Sequence, residues 1–372
     1  ISGGGRCNVL PSRLQTDRFV SDSPPTLVKR ILRSWPLDRQ RQFFDDEIGL
    51  DLRREEETGK LFPASNRARD VRDGLLAWAV RSGAVVRYST RIESVASIDA
   101  GWEVTTQSGN TIRARRLLLA TGGLSVPKTG SDGFGLGVAR RLGHTIVPTY
   151  PALTPLLAKG SADGDLAGLS LTATVTARSR RETVRTTDGF LFTHRGYSGP
   201  SILDVSHVVT RADVVDQARV SVRWTSIGEE EWRPILTADG ARPIGSLLRE
   251  HLPSRLAERQ LHRAGVAEDA TTSLLDRSGR ERLIRALVDD TLPVTGDEGY
   301  KKAEVTGGGV SLEEVDRRTM RSRRVAHLFF CGEILDAFGP IGGYNFLWAW
   351  ATGRAAGEGI AAEIATTDPG SA

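Results

Sequence analysis

The sequence is poor in sulfur and in lysine. Its 372 residues hold two cysteines, Cys7 and Cys331, and one methionine, Met320. Two cysteines exclude a disulfide framework and a cysteine-rich zinc site, and their separation is not Cys-x-x-Cys spacing, so a disulfide-reductase mechanism is not expected. The histidines His144, His194, His207, His251, His262 and His327 show no His-Glu-x-x-His or i,i+4 pairing, so no metal is expected. No apolar run approaches the ~20 residues of a membrane span. No signal peptide is visible, and few cysteines make a reducing cytoplasm the default. The chain opens at Ile1 rather than at Met, so a processed or incomplete polypeptide is expected.

Six lysines face 44 arginines, and the net charge is +4. That excess is too small to argue nucleic-acid binding by itself. The runs Arg178–Arg181 and Arg317–Arg324 read as solvated faces. Hydrophobic residues make up 39% and charged residues 26%, which is ordinary globular usage. The length suits two or three domains.

Periodicity divides the chain. Helical patterns lie near 24–34, 38–46 and 75–82, and strand patterns at 84–89, 92–98, 101–107 and 111–116. Leu117–Ala120 and Val325–Cys331 are short continuous apolar runs, as in strands buried on both faces of a parallel sheet. Residues 133–142 are helical. β-branched alternation over 151–225 predicts an antiparallel unit, and 228–292 is mostly helical. The last helix spans Phe346–Ile364, with Phe346, Trp350, Ile360 and Ile364 on one face and Gly353 and Gly357 placed for close packing.

Glycine loops recur at the ends of these elements. Thr121-Gly122-Gly123 ends one apolar strand, and Gly332-Glu333 ends another. Gly307-Gly308-Gly309 follows a strand over 303–306, and Thr129–Gly135 precedes a helix. Gly339-Pro-Ile-Gly-Gly-Tyr-Asn345 opens the last helix. Each alone reads as an ordinary turn. Together they suit a doubly wound fold, whose ligands sit beyond the carboxyl ends of strands and at helix N-termini.

These stretches resemble the bacterial two-domain FAD oxidoreductases labelled aminoacetone-oxidase-like, a family that includes a 3-dehydro-bile-acid reductase. The matching segments are 1–8, 120–144, 150–156, 192–203, 304–310 and 319–357. The resemblance implies an α/β fold with a glutathione-reductase-like FAD/NAD(P)-binding domain over 1–151 and 296–372. An insert would interrupt it, a β-barrel over 152–227 and a helical part over 228–295. It also implies FAD as cofactor, with NAD(P)H a possible reductant. By position, Gly3, Gly4, Gly5, Arg6, Cys7 and Asn8 match the segment along the flavin and pyrophosphate. Ile92 matches a backbone contact to adenine, and Thr121, Gly122 and Gly123 match the turn beside the cofactor. Gly332 and Glu333 match the ribityl and pyrophosphate contact. Gly342, Gly343, Tyr344, Asn345 and Phe346 match the loop under the flavin pyrimidine. The family's leading βαβ unit with Gly-x-Gly-x-x-Gly is missing from this sequence, so the stretch alone is expected to bind FAD weakly.

The leading expectation is an FAD-dependent oxidoreductase moving a hydride to or from a small enone, ketone or amine. His194, Arg195, Tyr197 and Tyr344 are the candidates for orienting that substrate or donating a proton. One alternative is a flavoprotein acting on or binding RNA through its arginine runs. Those runs lack interleaved aromatics, so nucleic acid is not the preferred partner. A second alternative is an inactive fragment. The motifs select neither a substrate nor an oligomeric state.

Overall fold

The computed structural model describes residues 5–56, 58–99, 101–159, 163–212, 218–237 and 242–367. The chain forms two compact units. One is Ile1–Tyr150 with Glu304–Ala372, and the other is Pro151–Ala303. The second unit keeps residues 296–303 because Val294–Asp297 pairs with Leu156–Ala158, which places Gly296 opposite Leu157.

In the first unit, Leu117–Leu119 lies parallel to Leu328–Phe330 in register, Leu119 beside Phe330. Leu328, Phe329 and Phe330 are completely buried. The long helix Tyr344–Thr367 packs on this pair. Its most buried positions include Leu347, Trp348, Ala351, Thr352, Ala355 and Ala356. The sequence pattern placed Phe346, Trp350, Ile360 and Ile364 on the buried face instead. Phe346 and Trp350 are half-buried and pack against the margin of the same core. Gly353 and Gly357 are not the close-packing positions, since open space faces both. Gly359 abuts Thr319 instead. A small sheet sets Lys60–Pro63 between Leu10–Pro11 and Leu52–Arg54. Helices Pro25–Ser34, Leu37–Phe43, Ala68–Arg81 and Phe134–Arg141 and the antiparallel sheet Ile92–Ile98, Gly101–Thr106, Thr111–Ala114 complete the unit.

Two other expectations change. Residues 84–89 form no strand; Val85 and Tyr88 stand exposed, with no apolar neighbour to reward pairing. The triple glycine is not a loop but part of the buried strand Val305–Val310, which pairs with the strand starting at Ile146. A Cβ at Gly308 would fall 2.4 Å from the Pro148 carbonyl oxygen, so the two backbones approach too closely for side chains.

The second unit is built on a seven-stranded antiparallel sheet. Its two longest strands, Ser170–Arg178 and Thr183–Phe192, form one hairpin, and Arg219–Arg223 flanks the first of them. The sheet's two edges, Asp290–Thr291 and Val294–Asp297, are separated in sequence only by Leu292 and Pro293. Two residues span well under ~10 Å, so the sheet must curl to bring its margins together. Helices Pro200–Thr210, Ser254–Ala264 and Arg277–Val288 close its core. Trp224 sits at the centre, stacked on Phe192 at 5.5 Å and edge-on to Phe190 at 5.1 Å.

A buried ionic chain ties this core together. The Tyr197 hydroxyl donates to Asp163. Arg259 bridges Asp163 and Asp290, at 2.6 Å each. Asp290 also accepts from Trp224 Nε1 at 2.9 Å and Gln260 Nε2 at 3.1 Å. Removing one member strands buried charge on the others, which costs about 3–5 kcal/mol. Asp290→Ala is therefore expected to lower second-unit stability by that amount in urea unfolding followed by tryptophan fluorescence, and Asp290→Asn by clearly less.

Candidate functional site

The site grows from the amino end of the long helix. Gly343 precedes it with φ +88°, and a Cβ there would fall 2.6 Å from the Leu10 carbonyl carbon. Only glycine satisfies both the left-handed backbone and that approach. Asn8 locks the contact: with its amide in the orientation that satisfies both neighbours, it donates to the Leu10 carbonyl and accepts from the Gly343 N–H, at 3.1 Å each. Asn345 folds the loop back on itself, accepting from Gly339 N at 2.8 Å and donating to Gly339 O at 3.0 Å.

A second corner joins from the parallel strand pair. Gly332 donates its N–H to Thr352 Oγ1 at 2.9 Å, and its carbonyl accepts from Trp348 Nε1 at 3.1 Å. The Glu333 carboxylate accepts the Thr306 N–H at 2.9 Å. Burial pushes the Glu333 carboxyl above its ordinary value, opposed by hydrogen bonds from Thr306 and Ser125. Thr306 Oγ1 in turn accepts from the N–H of Leu124 at 2.7 Å and of Ser125 at 3.1 Å. The Thr121–Gly123 turn is thereby held against the same place. A Cβ at Gly123 would stand 2.4 Å from Thr306 Oγ1 and 2.9 Å from Glu333 Oε1.

Between these corners lies a cavity of about 310 Å³. Val305, Ala337, Ile341, Phe346, Trp348 and Ala349 supply apolar walls, and Asn8, Lys60, Glu304 and Glu333 supply polar groups. Gly342 and Gly343 lie on its lining at the helix N-terminus. First-turn N–H groups lack intrahelical partners and carry partial positive charge, so this end favours an electron-rich group. Lys60 adds a full charge, its Cε 3.6 Å from where a Gly342 Cβ would stand. No atom lies within 4 Å of such a position at Gly5 or Gly332. An apolar slot with few polar groups and bare glycine backbone at its rim fits the ring of a flavin.

The remaining candidates fall elsewhere. Gly3 and Gly4 lie outside the described residues. Arg6 does not reach into the cavity; it pairs with Glu55 at 2.9 Å and lies over the Phe62 ring at 4.1 Å. Cys7 is buried, and Cys331 is a free thiol that burial pushes up to about 11. Thr121 is exposed and Gly122 half-buried. Ile92 opens the strand opposite Thr106, and its neighbour Arg91 pairs with Asp132 at 2.9 Å, outside the cavity lining. His194 and Arg195 are exposed in the second unit, where Arg195 faces Glu298 at 3.8 Å.

Both tyrosines are corrected. Tyr197 is 0% exposed, and burial beside Asp163 pushes its phenol far up, so it cannot meet a substrate or release a proton. Tyr344 turns its hydroxyl to the Arg13 carbonyl at 2.9 Å and to Gln15 Oε1 at 3.1 Å, which makes it an anchor for the 13–15 segment. Sequence reasoning missed Lys60, Phe62, Thr306 and Trp348. Their signal was weak, because each sits inside an ordinary strand or helix.

A family model described as HI0933-like protein Rossmann domain matches residues 1–359. The chain belongs to the HI0933-like Rossmann family. This is an FAD-binding oxidoreductase family. The chain is similar to the ribosomal RNA dihydrouridine synthase of Escherichia coli (strain K12), 32% identical over 97% of this chain and 88% of that protein. It is 28% identical to the Haemophilus influenzae protein of the same name, over 95% and 87%. It is 30% identical to the 3-dehydro-bile acid delta(4,6)-reductase of Clostridium scindens, over 97% and 88%. Among the described residues no helix is long and apolar enough to cross a membrane, and no cluster of His, Cys, Asp and Glu could hold a metal.

One further carboxyl supports the site. Asp336 precedes Ala337 of the cavity wall and accepts from Ser21, Ser23 and the N–H groups of Asp22 and Ser23. Burial pushes it up to about 6. The folded chain then binds this proton more tightly than the unfolded one, whose Asp titrates at about 3.9. Stability from this group is full below about pH 4, falls as pH rises to about 6 and is flat above, a loss on the order of 3 kcal/mol. Asp336→Asn is expected to abolish that slope, read as the difference in denaturant midpoints between the two proteins across the acid range.

Proposed function

We propose that this protein is an FAD-dependent reductase of carbon–carbon double bonds conjugated to a carbonyl, with NAD(P)H as the source of electrons. The observation that carries the reading is the convergence of Asn8, Lys60, Glu333, Gly342–Gly343 and Phe346 on one apolar cavity at the start of the long helix. The relatives' names support it through shared chemistry. Dihydrouridine is uridine with the ring double bond beside its carbonyl saturated, and a 3-dehydro-Δ4,6 bile acid carries double bonds conjugated to its ketone. We read the first unit as a glutathione-reductase-like FAD domain interrupted by the curled sheet and its helices.

Bound FAD supplies a hydride at N5. The chain's own residues position and charge the surroundings. Phe346, Trp348 and Val305 exclude water from the slot. The helix N-terminus and Lys60 stabilise an oxygen that gains negative charge, whether on the ring system or on the substrate carbonyl. Glu333, held by Thr306, would hold the cofactor chain by accepting from its hydroxyls.

Glu333→Ala is expected to weaken flavin retention by about tenfold or more, through loss of a buried acceptor. Lys60→Met is expected to keep the flavin and lower turnover by roughly 10- to 100-fold. Flavin absorbance after gel filtration reads the first, and NADH or NADPH oxidation with a steroid dienone reads the second. Mass spectrometry of uridine from treated ribosomal RNA, gaining two hydrogens, gives a parallel readout. Flavin-loaded protein that reduces neither substrate would overturn the reading.

A further inference from the structure

The register of the second unit's sheet gathers a surface that no linear run reveals. Arg178 of one strand lies opposite Arg219 on one side and Thr183 on the other. Two residues along, Thr176 lies between Ser221 and Arg185. Two further, Thr174 lies between Arg223 and Thr187. Side chains two apart on a strand share a face, as do directly paired ones. The three rows form one grid holding four guanidinium groups and five hydroxyls. None of these nine positions is aromatic or acidic, and Asp289 is the acid in the lining of the groove over them. The intervening positions Ala173, Val175, Ala177, Val220 and Val222 are buried on the opposite, core-facing side.

Among the described residues, three of the grid's four guanidinium charges are left uncompensated. Arg178 and Arg185 are exposed, and neither has an acidic partner among the described residues. Arg223 has none either, and its Nε is buried without a hydrogen-bond partner. Only Arg219 is paired, to Asp289 at 2.6 Å at the rim. Glu182, in the turn beside Arg178, is committed to Arg211 at 3.5 Å. The second arginine run differs. Arg321, Arg323 and Arg324 pair with Glu363, Asp316 and Glu314. A groove of about 400 Å³ runs over the grid.

We propose that this sheet face binds the sugar-phosphate backbone of duplex RNA. Unpaired guanidinium forks match phosphate oxygens in geometry as well as charge. Neighbouring positions are ~4.8 Å apart across strands and ~6.8 Å apart along them, so the grid can meet several phosphates at once. Thr174 and Ser221 are buried, and the exposed hydroxyls of Thr183 and Thr187 can exchange hydrogen bonds with ribose 2′-hydroxyls on the shallow groove of an A-form helix. A single-stranded partner would call for aromatic stacking platforms, which the face lacks. The proposal concerns binding and is independent of the reduction chemistry above.

The test is fluorescence anisotropy with a labelled RNA hairpin, titrated over a series of KCl concentrations. The grid variant Arg178→Ser/Arg185→Ser/Arg219→Ser/Arg223→Ser is expected to bind at least ~30-fold more weakly. Its slope of log affinity against log salt should be shallower by about 2–3 units, since each lost phosphate contact removes about 0.9. A control, Arg30→Ser/Arg33→Ser/Arg81→Ser/Arg87→Ser, removes the same charge from exposed positions of the first unit and should stay within about threefold of the parent. The single variant Arg185→Ser, at an exposed position, should show a partial loss with an unchanged melting curve. Equal loss in the grid and control variants would overturn the proposal, as would no loss in the grid variants. Preference for a single-stranded oligomer of equal length, or loss of binding to anionic lipid vesicles with RNA affinity intact, would also overturn it.

Discussion

The approach of Gly343 to the Leu10–Pro11 backbone is the constraint on which the first unit depends. It fixes where the long helix begins, and so where its unpaired N–H groups point. Asn8 bonds the early strand to the helix loop across more than three hundred residues of sequence. Trp348, one turn into the helix, carries the constraint to Gly332, and Thr352 carries it a turn further. Glu333 and Thr306 then relay it to the Thr121–Gly123 turn. The cavity is the space left when these backbones meet without side chains between them.

Much of this was legible in the sequence, for a physical reason. Apolar runs that end in glycine mark strands whose carboxyl ends approach something closely. Leu117–Leu119 and Leu328–Phe330 announced the parallel pair, and Gly332–Glu333 and Gly342–Phe346 announced its two corners. What failed was anything that depended on tertiary direction. Tyr197 looked like a proton donor because tyrosine often is one; its burial against Asp163 and Arg259 is set by residues about 30 to 60 positions away. Tyr344 sat in the right place but is buried, with its hydroxyl committed to Arg13 and Gln15. Gly307–Gly309 read as a loop because glycine weakens strands, yet here it serves strand packing against Pro148. Lys60 carried no signal at all, since a lone lysine on a short strand is ordinary.

The second unit shows the same division between its two faces. Its inner face was readable as β-branched alternation. Its outer face was not, because arginines at 178, 185, 219 and 223 belong to three strands and meet only through register. The contrast with the 317–324 run is instructive. In a dense arginine run three of five guanidinium groups found acidic partners, while scattered arginines became a concentrated surface. Charge density on a protein is a property of pairing geometry rather than of spacing along the chain.

The joining of the sheet's margins through Leu292 and Pro293 carries one more implication. Open sheets present a rim of unpaired peptide groups that can recruit strands from other molecules. Here both rims are short, one carries a register irregularity between Val294 and Gly296, and they lie side by side. A polar, water-facing sheet can therefore stay broad without becoming a template for intermolecular fibre growth.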